Sequence, residues 1–155
     1  MKKITSFILI AGTLGSCMTN PAAETPKTTS TMLAGTWKLI TGTITDSGKT
    51  VVTDYTKNIS FIKIINDNHF AFLQHDLNKG KDSSAVFVAG GGRYSLKDST
   101  YTEHLEYCND RIWENNDFSF TITIKNDTLV QTGIEKVESA GVNRVNTEKY
   151  VRVKK

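Results

Sequence analysis

From residue 34 onward, short runs rich in β-branched and aromatic residues alternate with clusters of Asn, Asp, Gly and Ser. No segment repeats apolar residues at i, i+3, i+4 and i+7 over a helical length, so the chain has no amphipathic helix to build a core from. It must therefore fold as an all-β protein. The runs predict strands over 35–45, 50–56, 59–66, 69–75, 84–96, 100–108, 118–125, 128–137 and 143–153. Asp46-Ser47-Gly48, Asn66-Asp67-Asn68, Asn78-Lys79-Gly80, Asn115-Asn116-Asp117, Asn126-Asp127 and Ala140-Gly141 separate them, residue types that tolerate turn dihedrals. Consecutive hairpins of this kind suit an up-and-down antiparallel β-barrel of about eight to ten strands, which removes exposed edges by closing on itself. A β-sandwich is the alternative architecture. Ala89-Gly90-Gly91-Gly92-Arg93 lacks the Lys-Ser/Thr and helix of a phosphate loop, and its glycines mark a bend or bulge in a long strand.

The first sixteen residues have a different character. Lys2 and Lys3 precede the apolar run Ile4 to Leu14, the pattern of a cleavable signal and too short to span a bilayer. Leu14-Gly15-Ser16-Cys17 resembles the lipobox after which bacterial lipoproteins are cut and acylated on the cysteine. Several acyl chains on Cys17 would give lasting attachment, since each buried methylene contributes about 0.8 kcal/mol. Residues 18–33 are Thr-, Ser-, Pro- and Ala-rich and read as a flexible tether with an end-to-end distance of roughly 20 to 25 Å. The expected organisation is thus a signal peptide over 1–16, a lipidated cysteine and tether over 17–33, and a barrel domain over 34–155. No acidic cluster follows Cys17, and the expected location is the outer membrane, facing the periplasm.

Taking the two leader lysines from 19 basic groups against 16 acidic ones leaves a net charge near +1. With no basic stripe, the electrostatic footprint of a nucleic-acid partner is missing. Cys108 is left without an intrachain partner, and it reads either as a small buried hydrophobe or as a thiol that reacts or pairs between chains.

The opening strand, Gly35-Thr36-Trp37, resembles the Gly-X-Trp of lipocalins and fatty-acid-binding proteins. The last strand, Glu148-Lys149-Tyr150-Val151-Arg152-Val153, completes the likeness by offering a basic residue near that tryptophan. Between them, Lys63-Ile64-Ile65, His69-Phe70-Ala71-Phe72, Gly91-Gly92-Arg93-Tyr94-Ser95, Tyr101-Thr102-Glu103 and Asp127–Gly133 are similar to a bacterial lipocalin-like (calycin superfamily) lipoprotein family without assigned function. The resemblance implies a lipocalin-like barrel in which Arg152 stacks on Trp37. Two departures matter. Residues 43–57 suggest a hairpin where fatty-acid-binding proteins insert a helical lid, and Tyr150-Val151-Arg152 replaces the Arg-X-Tyr that holds a fatty-acid carboxylate.

Alternation sorts the strands into faces. Tyr101, Glu103, Leu105 and Tyr107 form one inward set, and Phe118, Phe120, Ile122 and Ile124 another, opposite Ser119, Thr121 and Thr123. If Arg152 meets Trp37, then Arg144, Glu148 and Tyr150 also face in and the interior holds charge. An inward Glu103 needs a partner, with Arg152 and the tyrosines as candidates, and it would serve as a ligand anchor or as half of a structural ion pair. Candidate ligand-binding residues are Trp37, His69, Phe72, Tyr94, Tyr101, Glu103, Tyr107 and Arg152.

His69 and His75 lie roughly 20 Å apart on an extended strand, and His104 and Cys108 roughly 13 Å, so local spacing offers no metal site. No cofactor is assigned; were haem bound inside the barrel, His69 or His75 would be its ligand. No Gly-X-Ser-X-Gly or other nucleophile–base motif occurs, and no catalytic residue is assigned. The expected function is a membrane-anchored binding protein holding a small apolar or amphipathic molecule. The alternative is an envelope interaction module whose Phe and Tyr side chains fill the barrel.

Overall fold

The computed structural model describes residues 32–154. The segments read as a signal peptide, a Cys17 lipobox and most of a tether lie outside them. Nine antiparallel strands follow one another: β1 Gly35–Asp46, β2 Lys49–Asp54, β3 Ile59–Ile65, β4 His69–Asp76, β5 Phe87–Lys97, β6 Thr100–Cys108, β7 Asn116–Lys125, β8 Thr128–Val137 and β9 Val142–Arg152. From β3 to β9 each strand pairs with the next, and β9 pairs with β1, closing an eight-stranded barrel. All nine predicted strands are present and in place.

The turns work as their residue types require. Ser47 and Gly48, and likewise Asn126 and Asp127, both take positive φ in two-residue hairpin loops. Residues 84–86, read as strand, belong instead to the β4–β5 loop. There Asp76 accepts the backbone N–H groups of Gly80 (2.9 Å) and Val86 (3.2 Å), and burial of its carboxyl is outweighed by these bonds, which lower its pKa.

β1 is shared between three neighbours. One edge runs along β9, while the other pairs with β3 through Gly35–Lys38 and then with β2 through Thr41–Asp46. The ninth strand, β2, is thus the outer arm of a hairpin that leaves the barrel wall, as the residues between 43 and 57 suggest. An extra residue at Ile40 bulges β1, so that Trp37 and Leu39 face inward below it and Gly42 and Ile44 above it.

A second bulge sits where the glycines predicted one. Gly91 pairs with Tyr107 and Gly92 with Leu105, leaving Glu106 as the inserted residue on β6. A Cβ on Gly92 would overlap the His104 carbonyl oxygen and come within 2.8 Å of the Glu106 amide nitrogen, so the strands meet this closely only without a side chain there. Because the bulge reverses the alternation, Tyr107 turns outward to 70% exposure and Cys108 turns in against the core. That corrects the assignment of Tyr107 to the interior.

The core occupies the end of the barrel where the chain enters and leaves. Trp37, Leu39, Tyr101, Leu129 and Tyr150 are fully or almost fully buried there. Trp37 Nε1 donates to the Leu33 carbonyl (2.8 Å), and the Arg152 guanidinium lies 4.1 Å from the Trp37 ring centre. Arg152 also donates to the carbonyls of Ala34 (2.8 Å) and Met32. Leu33 is itself fully buried, so the end of the predicted tether is part of the core, contrary to the boundary drawn at residue 34.

Candidate functional site

Above this plugged end the inner face becomes mixed. β3 presents Phe61 and Lys63, β4 Phe72, β6 Glu103 and Leu105, β7 Phe118 and Phe120, β8 Gln131 and Glu135, and β9 Arg144, Asn146 and Glu148. They surround a cavity of about 570 Å³ that opens toward the β6–β7 loop, where Asn109, Asp110 and the Trp113 of a short 3-10 turn (Arg111–Trp113) form the rim. Phe61 is the hub of its aromatic wall: stacked on Phe72 (6.0 Å between centres), edge-on to Tyr55 (5.9 Å) and tilted against Tyr150 (6.3 Å).

The cavity floor is a chain of polar groups. Lys63 Nζ, only 3% exposed, donates to Glu103 Oε1 (2.7 Å) and Gln131 Oε1 (3.3 Å). Gln131 Nε2 then donates to Glu148 Oε2 (2.6 Å), which also accepts the Tyr150 hydroxyl (2.8 Å). The Lys63 ammonium lies between 5.5 and 6.0 Å from the ring centres of Phe70, Tyr101, Phe120 and Tyr150, close enough for their faces to favour the charge. Burying this ion pair is costly, and the cost is offset on the lysine side, where the Gln131 oxygen and the four rings add to the Glu103 contact.

A second pair stands nearer the mouth. Arg144 Nε donates to Glu135 Oε2 (2.7 Å), Asn146 Nδ2 donates to Glu135 Oε1 (2.7 Å), and the Arg144 guanidinium stacks 5.4 Å from the Trp113 ring centre. Glu148 differs from both paired carboxylates: it has no ion-pair partner among the described residues. Burial pushes its carboxyl pKa above the usual carboxylate range, with Lys63 pulling the other way. Burial likewise raises the phenols of Tyr101 and Tyr150 well above their ordinary value, with nearby carboxylates adding to the effect. The Tyr101 hydroxyl is the one buried side-chain polar atom among the described residues with no hydrogen-bond partner.

Of the eight residues proposed from sequence, Phe72 and Glu103 line the cavity. Tyr101 is buried beside its polar floor. Trp37 and Arg152 meet as expected, but in the plug rather than in the cavity. Tyr94 donates its hydroxyl to the Asn66 carbonyl (2.7 Å) at the β3–β4 turn. His69 is exposed at that same turn, bonded to Asn68 (2.6 Å), and Tyr107 points outward. His75 is exposed too, so neither histidine named as a haem ligand reaches the interior. The partner of Glu103 is Lys63, not Arg152 or a tyrosine. Cys108 lines the cavity near its mouth, and burial raises its thiol pKa, the direction of a packed rather than a reactive cysteine.

Lys63, Gln131, Arg144 and Glu148 were absent from the proposed set, although a signal for each exists. Lys63 shares parity with Phe61 and Ile65, and Gln131 with Leu129, so both belong to runs whose other members must face inward.

The profile of a family described as Domain of unknown function (DUF4488) matches residues 32–155. No curated protein matches the chain. Among solved structures, that of an uncharacterized protein from Bacteroides eggerthii DSM 20697 is similar, with 11% identity and a TM-score of 0.45 over 77% of this chain and 98% of that one.

Proposed function

This chain belongs to the DUF4488 family, whose profile covers the entire described barrel, and from the cavity inside that barrel we propose that it is a lipocalin-like binding protein for a small amphipathic molecule. The carrying observation is a cavity of about 570 Å³ with aromatic walls and a hydrogen-bonding floor. Ligand pockets commonly have volumes of about 300–1,000 Å³ and combine apolar walls with a few convergent polar groups. An interior filled by Phe and Tyr, the alternative expected from composition, describes only the plugged end; toward the mouth the same residue types form a wall around open space. The calycin-like features at the two ends of the sequence, Trp37 and Arg152, support the same reading.

The anchor belongs to this proposal. The described chain starts at Met32 beside the plug, so acyl chains on Cys17 would tether the domain at its closed pole. In a host with lipoprotein machinery, the wild-type protein takes up a palmitate analogue and fractionates with membranes, and Cys17→Ala does neither. Equal labelling of the two overturns the anchor.

For the cavity, native mass spectrometry of the purified 32–155 domain is expected to show a retained small molecule, or one-to-one binding of medium-chain alcohols. Val88→Trp, at a half-buried lining position, puts an indole into the space and should weaken such binding at least about tenfold, the scale of 1.4 kcal/mol. Neither retained nor added ligand, or a Val88→Trp affinity equal to wild type, would sink the proposal.

A further inference from the structure

We infer that the ligand is a cationic amphiphile, an organic amine whose ammonium group pairs with Glu148 at the cavity floor. This rests on the reading of the cavity as a ligand site and gives that ligand its chemistry. Three carboxylates face the cavity from the inner strand faces, Glu103, Glu135 and Glu148, against two cations, Lys63 and Arg144. Lys63 is held by Glu103 and Arg144 by Glu135, each at 2.7 Å. Glu148 is therefore left with neutral donors alone, the Gln131 amide and the Tyr150 hydroxyl, both on Oε2. A carboxylate walled by aromatic rings is poorly solvated, and a ligand ammonium entering beside it would supply the missing countercharge. Asp110, exposed at the rim, carries the same sign.

The wall suits the same guest. Phe61, Phe72 and Tyr55 line the space near Glu148, and aromatic faces attract a cation while they accept an apolar tail. An anionic head fares badly on each count. Both cavity cations are already neutralised, and Arg152, the other inward cation, is committed to Trp37 and to the carbonyls of Ala34 and Met32 outside the cavity.

Glu148 faces Lys63 from β3, Glu103 from β6, Gln131 and Glu135 from β8, and Tyr150 from its own strand, with Tyr55 nearby after β2. Burial raises its carboxyl pKa. An ammonium pairs with the ionised form, so amine affinity should be full above that raised value and fall as the pH drops through it. A neutral ligand of the same shape can only hydrogen-bond to that carboxyl and has no charge to pair with its ionised form, so its affinity follows the pH far less.

Three probes with one tail separate the possibilities: decylamine, decanol and decanoate, titrated calorimetrically into the 32–155 domain at pH 7.5. The amine is expected to bind about tenfold more tightly than the alcohol and the carboxylate more weakly than either. Glu148→Gln keeps the side-chain shape and removes the charge, and it should erase the preference for amine over alcohol. The wild-type protein gives the same test without a variant, because decylamine affinity falls as the pH is lowered through the raised Glu148 titration while decanol affinity changes far less. If decanol or decanoate matches the amine, or Glu148→Gln retains the preference, the amine assignment is overturned and the cavity reading stands. Should none of the three bind, both fail.

Discussion

Replacing Lys63 by methionine will destabilise the barrel by about 3–5 kcal/mol, because it removes one member of a buried ion pair and leaves the other uncompensated. Methionine fills most of the volume of the lysine stem, so the effect isolates charge from packing. Glu103 loses the 2.7 Å ammonium contact, and Gln131 loses a donor to its carbonyl oxygen. The double variant Lys63→Met/Glu103→Gln removes both charges, and it should recover most of the loss, since a neutral pair in this position carries no comparable desolvation cost. Urea unfolding measures both, with the midpoint moving and the slope unchanged if the native barrel is otherwise intact. A single variant within about 1 kcal/mol of wild type would show that the interior compensates Glu103 by another route.

Trp37→Ala is expected to cost a similar amount, about 3–5 kcal/mol, for a different reason. The indole is fully buried, its Nε1 satisfies the Leu33 carbonyl, and its face carries the Arg152 guanidinium. Truncation therefore opens a cavity, orphans an acceptor and unseats the cation that secures the entering chain. Trp37→Phe separates these contributions. It keeps an aromatic face for Arg152 and loses the hydrogen bond, so it should fall between, at about 1–2 kcal/mol. Thermal unfolding ranks the three proteins, and Trp37→Ala melting within a few degrees of wild type would mean that the plug contributes little to stability.

The sequence carried most of the architecture because two of its signals are local. Turn chemistry at Ser47-Gly48 and Asn126-Asp127 places hairpin ends almost to the residue, and strict alternation orients β7, where Phe118, Phe120 and Ile122 are buried against exposed Ser119, Thr121 and Thr123. Alternation fails where an inserted residue shifts it. Tyr107 was assigned inward on an unbroken period, and the bulge at Glu106 reverses the face from that point. The glycines opposite gave notice of a bulge, but not of which strand would hold the extra residue. The Lys63–Glu103 pair spans 40 residues and two intervening strands, so it is fixed by how the sheet curls rather than by anything adjacent in the chain. Leu33 was missed for the opposite reason: one apolar residue after a polar stretch has no period to reveal it. The histidines and Tyr94 were chosen by residue type, which says nothing about the end of the barrel they occupy.

The circumference of this barrel is complete only because β1 gives its first few residues to β3 before turning the same edge to β2. The ladder there consists of Gly35, Thr36, Trp37 and Lys38 against Ile65, Ile64, Lys63 and Ile62. Every other junction between neighbouring strands of the wall is longer. The molecule is thus a nine-stranded sheet zipped shut along one short line, and both side chains argued above to matter most, Trp37 and Lys63, are partners across it. Each reaches beyond the seam, Trp37 to the entering chain and to Arg152 on β9, Lys63 to Glu103 on β6 and Gln131 on β8. They act as cross-ties that make parting the seam coincide with dismantling the plug and the polar floor. Without them the seam would open alone, presenting two unpaired strand edges, the surface from which β-proteins aggregate.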